Sequence, residues 1–204
     1  VKKSLLILPL VLLVSALALS ACGGGGSSSS SGGSDDETAI EEAIETAATS
    51  SDPSKCTEVQ TEFFNETETG KTGAAALKTC EKEVEEGDDQ AESVNVSQIE
   101  VEGEGAAAVA EIEGSALGGQ TIAIAMEKEE GAWKVDGFMG FMKYDPEALG
   151  SSLEELLNEE EGADPAKVTC VAEGVEAMSE EEAEAMVFEK NEEGLNEILA
   201  GCSE

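Results

Sequence analysis

The chain has 204 residues, with 46 acidic side chains against 11 lysines, neither arginine nor histidine, and a formal charge of −35. Phosphate backbones and anionic lipid surfaces are bound through clustered Lys and Arg, so nucleic acid binding and flat docking on an acidic membrane are excluded. The lack of histidine removes Ser-His-Asp, Cys-His and His-ligated metal chemistry as well.

Lys2 and Lys3 precede an apolar run from Leu5 to Leu19 that closes on the small residues Ser20 and Ala21. A charged start, a short apolar stretch and a small-residue exit mark a secretory signal peptide. The run is short of the about 20 residues that span a bilayer, and Pro9 weakens it as a helix. The tetrapeptide Leu19-Ser20-Ala21-Cys22 resembles the lipobox of bacterial lipoproteins. That resemblance implies that residues 1–21 are removed and that the Cys22 thiol carries a diacylglycerol. It places the protein on the outer, extracytoplasmic face of the bacterial cell membrane, held there by lipid. Two acyl chains give stable attachment where one gives only marginal binding. Residues 22–37 follow as the lipidated cysteine and a Gly/Ser-rich tether ending in Asp35-Asp36-Glu37. Such a segment buries too little apolar surface to fold and is expected to be a coil with a reach of about 20 Å.

Assigning Cys22 to lipid leaves Cys56, Cys80, Cys170 and Cys202. Four cysteines allow three pairings, and export favours their oxidation. The local pairing, Cys56–Cys80 and Cys170–Cys202, fits the domain division below. Zinc is the rival reading, but no close CxxC pair or histidine supports it.

From Thr38, Ile40, Ala43, Ile44 and Ala47 recur at helical spacing. Asp52-Pro53 opens a second helix carrying Cys56, Val59, Phe63 and Phe64, and a third carries Ala76, Leu77, Cys80 and Val84. The period then becomes two. Val94 and Val96 alternate, Ile99 and Val101 take the other parity, and a bulge is expected near Ser97-Gln98. Turns at Gly103-Glu104-Gly105, Gly118-Gly119 and Glu129-Glu130-Gly131 separate further strands, making a twisted antiparallel sheet.

Helices followed by a meander, with Gly131 to Phe138 reading GAWKVDGF, resemble the nuclear transport factor 2-like superfamily. The resemblance implies a curved sheet wrapping helices into a cone with a central pocket over residues 38–144. It is silent on function, because one fold hosts enzymes, binding modules and scaffolds. Residues 145–204 read as a small all-helical domain. Leu149, Leu153, Leu156 and Leu157 line one helix, Asp164-Pro165 opens the next, and Ser179 with Glu182 forms a capping-box pattern. Leu195, Ile198 and Leu199 mark the last helix. The expected fold is therefore α+β: three helices on a cone-like antiparallel sheet, followed by a small helical domain.

Catalytic patterns are scarce. Gly70-Lys71-Thr72 lacks the glycine a phosphate loop needs where Asn65 stands. Within the cone, Asp136 and Tyr144 have the side chains of a base and a hydrogen-bond donor, and Trp133 and Phe138 would join them as pocket residues. Phe138-Met139-Gly140-Phe141-Met142 offers two thioethers, soft enough for monovalent copper but more simply read as gap-filling core residues. No cofactor or metal is expected. The expected activity is non-catalytic binding of a small apolar or amphipathic ligand, or of an envelope protein, by a monomer or weak dimer. The alternatives are an isomerase- or cyclase-type enzyme in the cone pocket, or a purely structural acidic surface protein. The acidity itself fits a self-repelling soluble surface of the kind adapted to salt, or a receptor for a cationic partner or for divalent ions.

Overall fold

A computed structural model describes residues 32–87, 90–159, 163–191 and 193–202. The expected signal peptide with Leu19, Ser20 and Ala21, the expected lipid site Cys22 and the expected tether up to residue 31 lie outside the described residues. Among those described, eight helices and four strands run in the order α1 (Gly32–Thr49), α2 (Lys55–Glu58), α3 (Glu62–Thr69), α4 (Ala74–Glu86), β1 (Ser93–Glu102), β2 (Gly105–Glu113), β3 (Thr121–Glu129), β4 (Ala132–Lys143), α5 (Pro146–Glu159), α6 (Pro165–Glu176), α7 (Glu180–Val187) and α8 (Glu193–Gly201). The fold class is α+β, with one antiparallel meander in the order β1-β2-β3-β4.

The first helix starts earlier than its apolar pattern does. Residues 32–37, expected as structureless tether, form the first turns of α1. Asp36 Oδ1 accepts hydrogen bonds from Lys128 Nζ at 2.6 Å and Trp133 Nε1 at 2.8 Å, which holds this end of the helix to β3 and β4. A hydrophobicity count cannot see a polar anchor of this kind. Further along, Ile40 and Ile44 are fully buried, and α1 packs against β1 and β4.

The second expected helix is two. Between α2 and α3 the chain extends through Val59–Thr61, where Gln60 forms a parallel bridge with Val135. The Thr61 N–H donates to the Val135 carbonyl, and the Thr61 hydroxyl caps α3 by accepting from the Phe64 N–H at 3.0 Å. A strand-like bridge and a helix cap thus take the backbone groups that a continuous helix would use. The Cys56–Cys80 disulfide joins α2 to α4.

The meander carries two kinds of irregularity. In β1 the register shifts between Ser97 and Glu100, beside the positive φ of Gln98, where the parity change called for a bulge. In β4 the register against β3 shifts three times, skipping Asp136, Met139 and Met142 in turn. Each bulge adds one residue, so the inward positions recur every three residues: Val135 opposite Met126, Phe138 opposite Ile124, Phe141 opposite Ile122. This explains the Gly-Phe-Met repeat, and it corrects the reading of its methionines. Phe141 is buried, whereas Met139 and Met142 are 63% and 57% exposed. They fill no gap in the core. Successive bulges bend and twist the strand that contains them.

The C-terminal helices share the sheet's core. Leu149 of α5, Val175 of α6 and Ala183 of α7 belong to the same buried cluster as Ile40, Ile122 and Phe141. A side chain at Gly150 would collide with Glu176 and the Ala172 carbonyl, and one at Gly174 with Ile198. These two glycines let α6 approach α5 and α8 closely. The Cys170–Cys202 disulfide staples α6 to the end of α8, and Ser179 and Glu182 form the reciprocal capping box of α7.

Candidate functional site: an apolar cavity between the sheet and the helices

Inward-facing residues of the sheet and the apolar stripes of the surrounding helices leave a cavity of about 510 Å³. Ile44 and Ala48 of α1, Phe64 of α3, Ile122 and Ile124 of β3 and Phe138 of β4 form its apolar walls. Leu149, Val175 and Met186 close it from the C-terminal side. Aromatic packing sets the floor near β4: Phe138 meets Phe64 edge-on at 5.3 Å and Phe188 at 5.7 Å.

Polar groups gather on the α2–α3 side. Lys55 is buried and donates from Nζ to the Ala47 carbonyl at the end of α1, 3.0 Å away. Lys190 Nζ pairs with Glu68 Oε2 at 2.8 Å, and both residues line the cavity. Asn65, 4% exposed, donates from Nδ2 to the Cys56 carbonyl at 2.7 Å. Gln60 is 8% exposed, and its Oε1 lies 3.2 Å from Cys80 Sγ. That sulfur is bonded to Cys56 and carries no proton, so the contact is not a hydrogen bond. Gln120, the other buried glutamine, shows the usual arrangement: Nε2 donates to the Asp145 carbonyl and Oε1 accepts from the Asp145 N–H. A buried amide left without such partners costs about 1–3 kcal/mol. Gln60 and Asn65 also border a second cleft of about 460 Å³ that reaches Leu77 and Lys134.

Of the four pocket residues expected from sequence, Phe138 lines the main cavity and Trp133, Asp136 and Tyr144 do not. Trp133 is buried and bound through its indole N–H to Asp36. Asp136 Oδ1 accepts from the Thr61 hydroxyl at 2.8 Å, and Thr61 in turn caps α3, so Asp136 fixes the start of that helix against β4. The Tyr144 hydroxyl donates to the Met178 carbonyl at 3.2 Å, tying the end of β4 to the α6–α7 connection. Burial pushes the Tyr144 phenol above its ordinary pKa, and the nearby Glu180 and Glu182 carboxylates add to the rise. The base-and-donor pair is therefore not assembled around this cavity.

Sequence inspection missed Gln60, Asn65, Glu68 and Lys190. In a chain where polar residues are abundant nothing local distinguishes them, and only the fold brings them to one wall. Among the described residues no group of three or more acidic or cysteine side chains is placed to hold a metal ion. No described helix is long and apolar enough to cross a membrane. The chain matches no protein-family model, no curated protein and no solved structure.

Proposed function

We propose that the protein is a bacterial lipoprotein, tethered to the outer face of the cell membrane by a diacylglyceryl group on Cys22. Its folded part holds a small apolar or amphipathic molecule by binding rather than by catalysis. The observation that carries the binding reading is the cavity itself: about 510 Å³ with aliphatic and aromatic walls, inside the range of small-molecule sites. The lipobox resemblance of Leu19-Ser20-Ala21-Cys22 carries the anchor.

The fold we read as nuclear transport factor 2-like. Helices precede the meander, as in that superfamily, and α1 contacts both edge strands, β1 and β4. Laid across a flat sheet, an 18-residue helix, about 27 Å long, would meet β2 and β3 on its way between the edges. Its main sheet contacts are with β1 and β4, which supports a sheet curled around it. The helices from residue 146 onward form a smaller unit docked on that sheet through Leu149, Val175 and Ala183.

Two measurements test the reading separately. Labelled palmitate should enter the wild-type chain in its own host and fail to enter Cys22→Ala; equal labelling would sink the anchor. The neutral dye N-phenyl-1-naphthylamine should brighten on binding the exported chain and be displaced by other small apolar molecules. No brightening would sink the binding site.

A further inference from the structure

Resting on the binding reading, we infer that the cavity selects an uncharged amphiphile whose head group both donates and accepts hydrogen bonds, a hydroxyl or a primary amide, placed between Gln60 and Asn65. One N–H of Asn65 Nδ2 goes to the Cys56 carbonyl. Its Oδ1 can only accept, so a head group that satisfies this oxygen must bring a donor. Gln60, more than nine-tenths buried, lines the cavity, and its carboxamide has no hydrogen-bonding partner among the described residues. A carboxamide can donate and accept, so it completes a site for a group that does both. A hydroxyl can donate to an amide oxygen and accept from the Gln60 Nε2, while the apolar walls formed by Ile44, Ile122, Ile124 and Phe138 take the tail.

An anionic head fits poorly. A carboxylate has no donor for Asn65 Oδ1, and the cavity's two lysines are already engaged, Lys190 with Glu68 and Lys55 with the Ala47 carbonyl. The chain's charge of −35 adds a repulsion at long range. An alkane fits poorly for the opposite reason, since burying the Gln60 carboxamide and the Asn65 oxygen under it leaves these groups unpaired.

The test is displacement of N-phenyl-1-naphthylamine from the exported chain carrying Cys22→Ser, using decan-1-ol and decanoate as matched competitors. Decan-1-ol is expected to displace the dye at a roughly tenfold lower concentration, the size of one net hydrogen bond. Gln60→Met, similar in shape but without the amide, should bring that ratio close to one. Equal displacement by the two competitors in wild type would overturn the inference, as would an unchanged ratio in Gln60→Met. Should Gln60→Met fail to fold, Gln60→Glu keeps the shape and places an acceptor in the site. It should shift the preference towards decylammonium, and an unchanged ranking overturns the inference. A dye that does not bind at all would instead remove the binding reading on which the inference rests.

Discussion

Lys190, held at a positive φ between α7 and α8, donates to Glu68 of α3 across 2.8 Å and joins segments 122 residues apart at the edge of the cavity. The pair is partly exposed, with side chains 46% and 27% accessible. Pairs of this kind contribute about 0.2–1 kcal/mol. Glu68→Gln should therefore lower Tm by no more than about 4 °C, and the difference should fade in 1 M salt, where the screening length is about 3 Å. Dye release, followed by stopped-flow fluorescence, should quicken by up to about fivefold. A loss of stability far beyond this range would show that the pair holds more than the cavity edge.

The β4 triplets give a sharper contrast. Phe141 is 8% exposed and packs on Tyr144 and Phe188 at 5.2 and 4.8 Å, whereas Met142 beside it points outward. Phe141→Ala should cost about 3–5 kcal/mol. Met142→Ala should stay within about 0.5 kcal/mol of wild type. Phe138→Ala should also destabilise, and urea unfolding of the three variants checks the register, because a strand with simple alternation would not place Phe138 and Phe141 on one face.

The two disulfides close loops of 24 and 32 residues by sequence separation. Chain entropy gives about 3.5 kcal/mol for each. Replacing Cys170 and Cys202 together by alanine should cost about 2–5 kcal/mol, and hydrogen exchange should show the loss first in α8, which is bound to α6 through Ile198 and that bridge. Uniform loss of protection across the sheet would argue that α8 is not a separable edge of the structure.

Acid should act on the start of α1. The Lys128 ammonium, followed by the Trp133 indole N–H, holds the Asp36 carboxyl below its ordinary pKa. A depressed carboxylate contributes stability that is fully present above the unfolded value, about 3.9, and is lost as pH falls through the lower folded value. Asp36→Asn should be less stable than wild type at pH 6, and the gap should close as pH drops below about 4. A gap that is constant down to pH 2 would mean that the Asp36 charge is not what anchors the helix.

Much of the architecture was legible because hydrophobic period reports secondary structure directly. The change from helical spacing at Ile40–Ala47 to alternation at Ile122–Met126, the bulge beside Gln98 and the capping box at Ser179 and Glu182 all follow from local pattern. The illegible parts depend on long-range polar contacts. Asp36 reaching Trp133, Gln60 bridging to Val135 and Asp136 binding Thr61 leave no periodic trace. The period of three in β4 escaped notice because neither a helix nor a regular strand has it. The same limit applied to the site: Phe138 was within reach as an aromatic beside a glycine, but Gln60 and Asn65 become informative only once they are buried.

The most direct test of the whole account is native mass spectrometry of the protein taken from its own envelope. The expected species begins at Cys22, carries a diacylglyceryl group on that thiol, contains two disulfides and releases an uncharged amphiphile on gentle activation. A chain that retains residues 1–21 with a free Cys22 thiol and travels with no bound small molecule would contradict it.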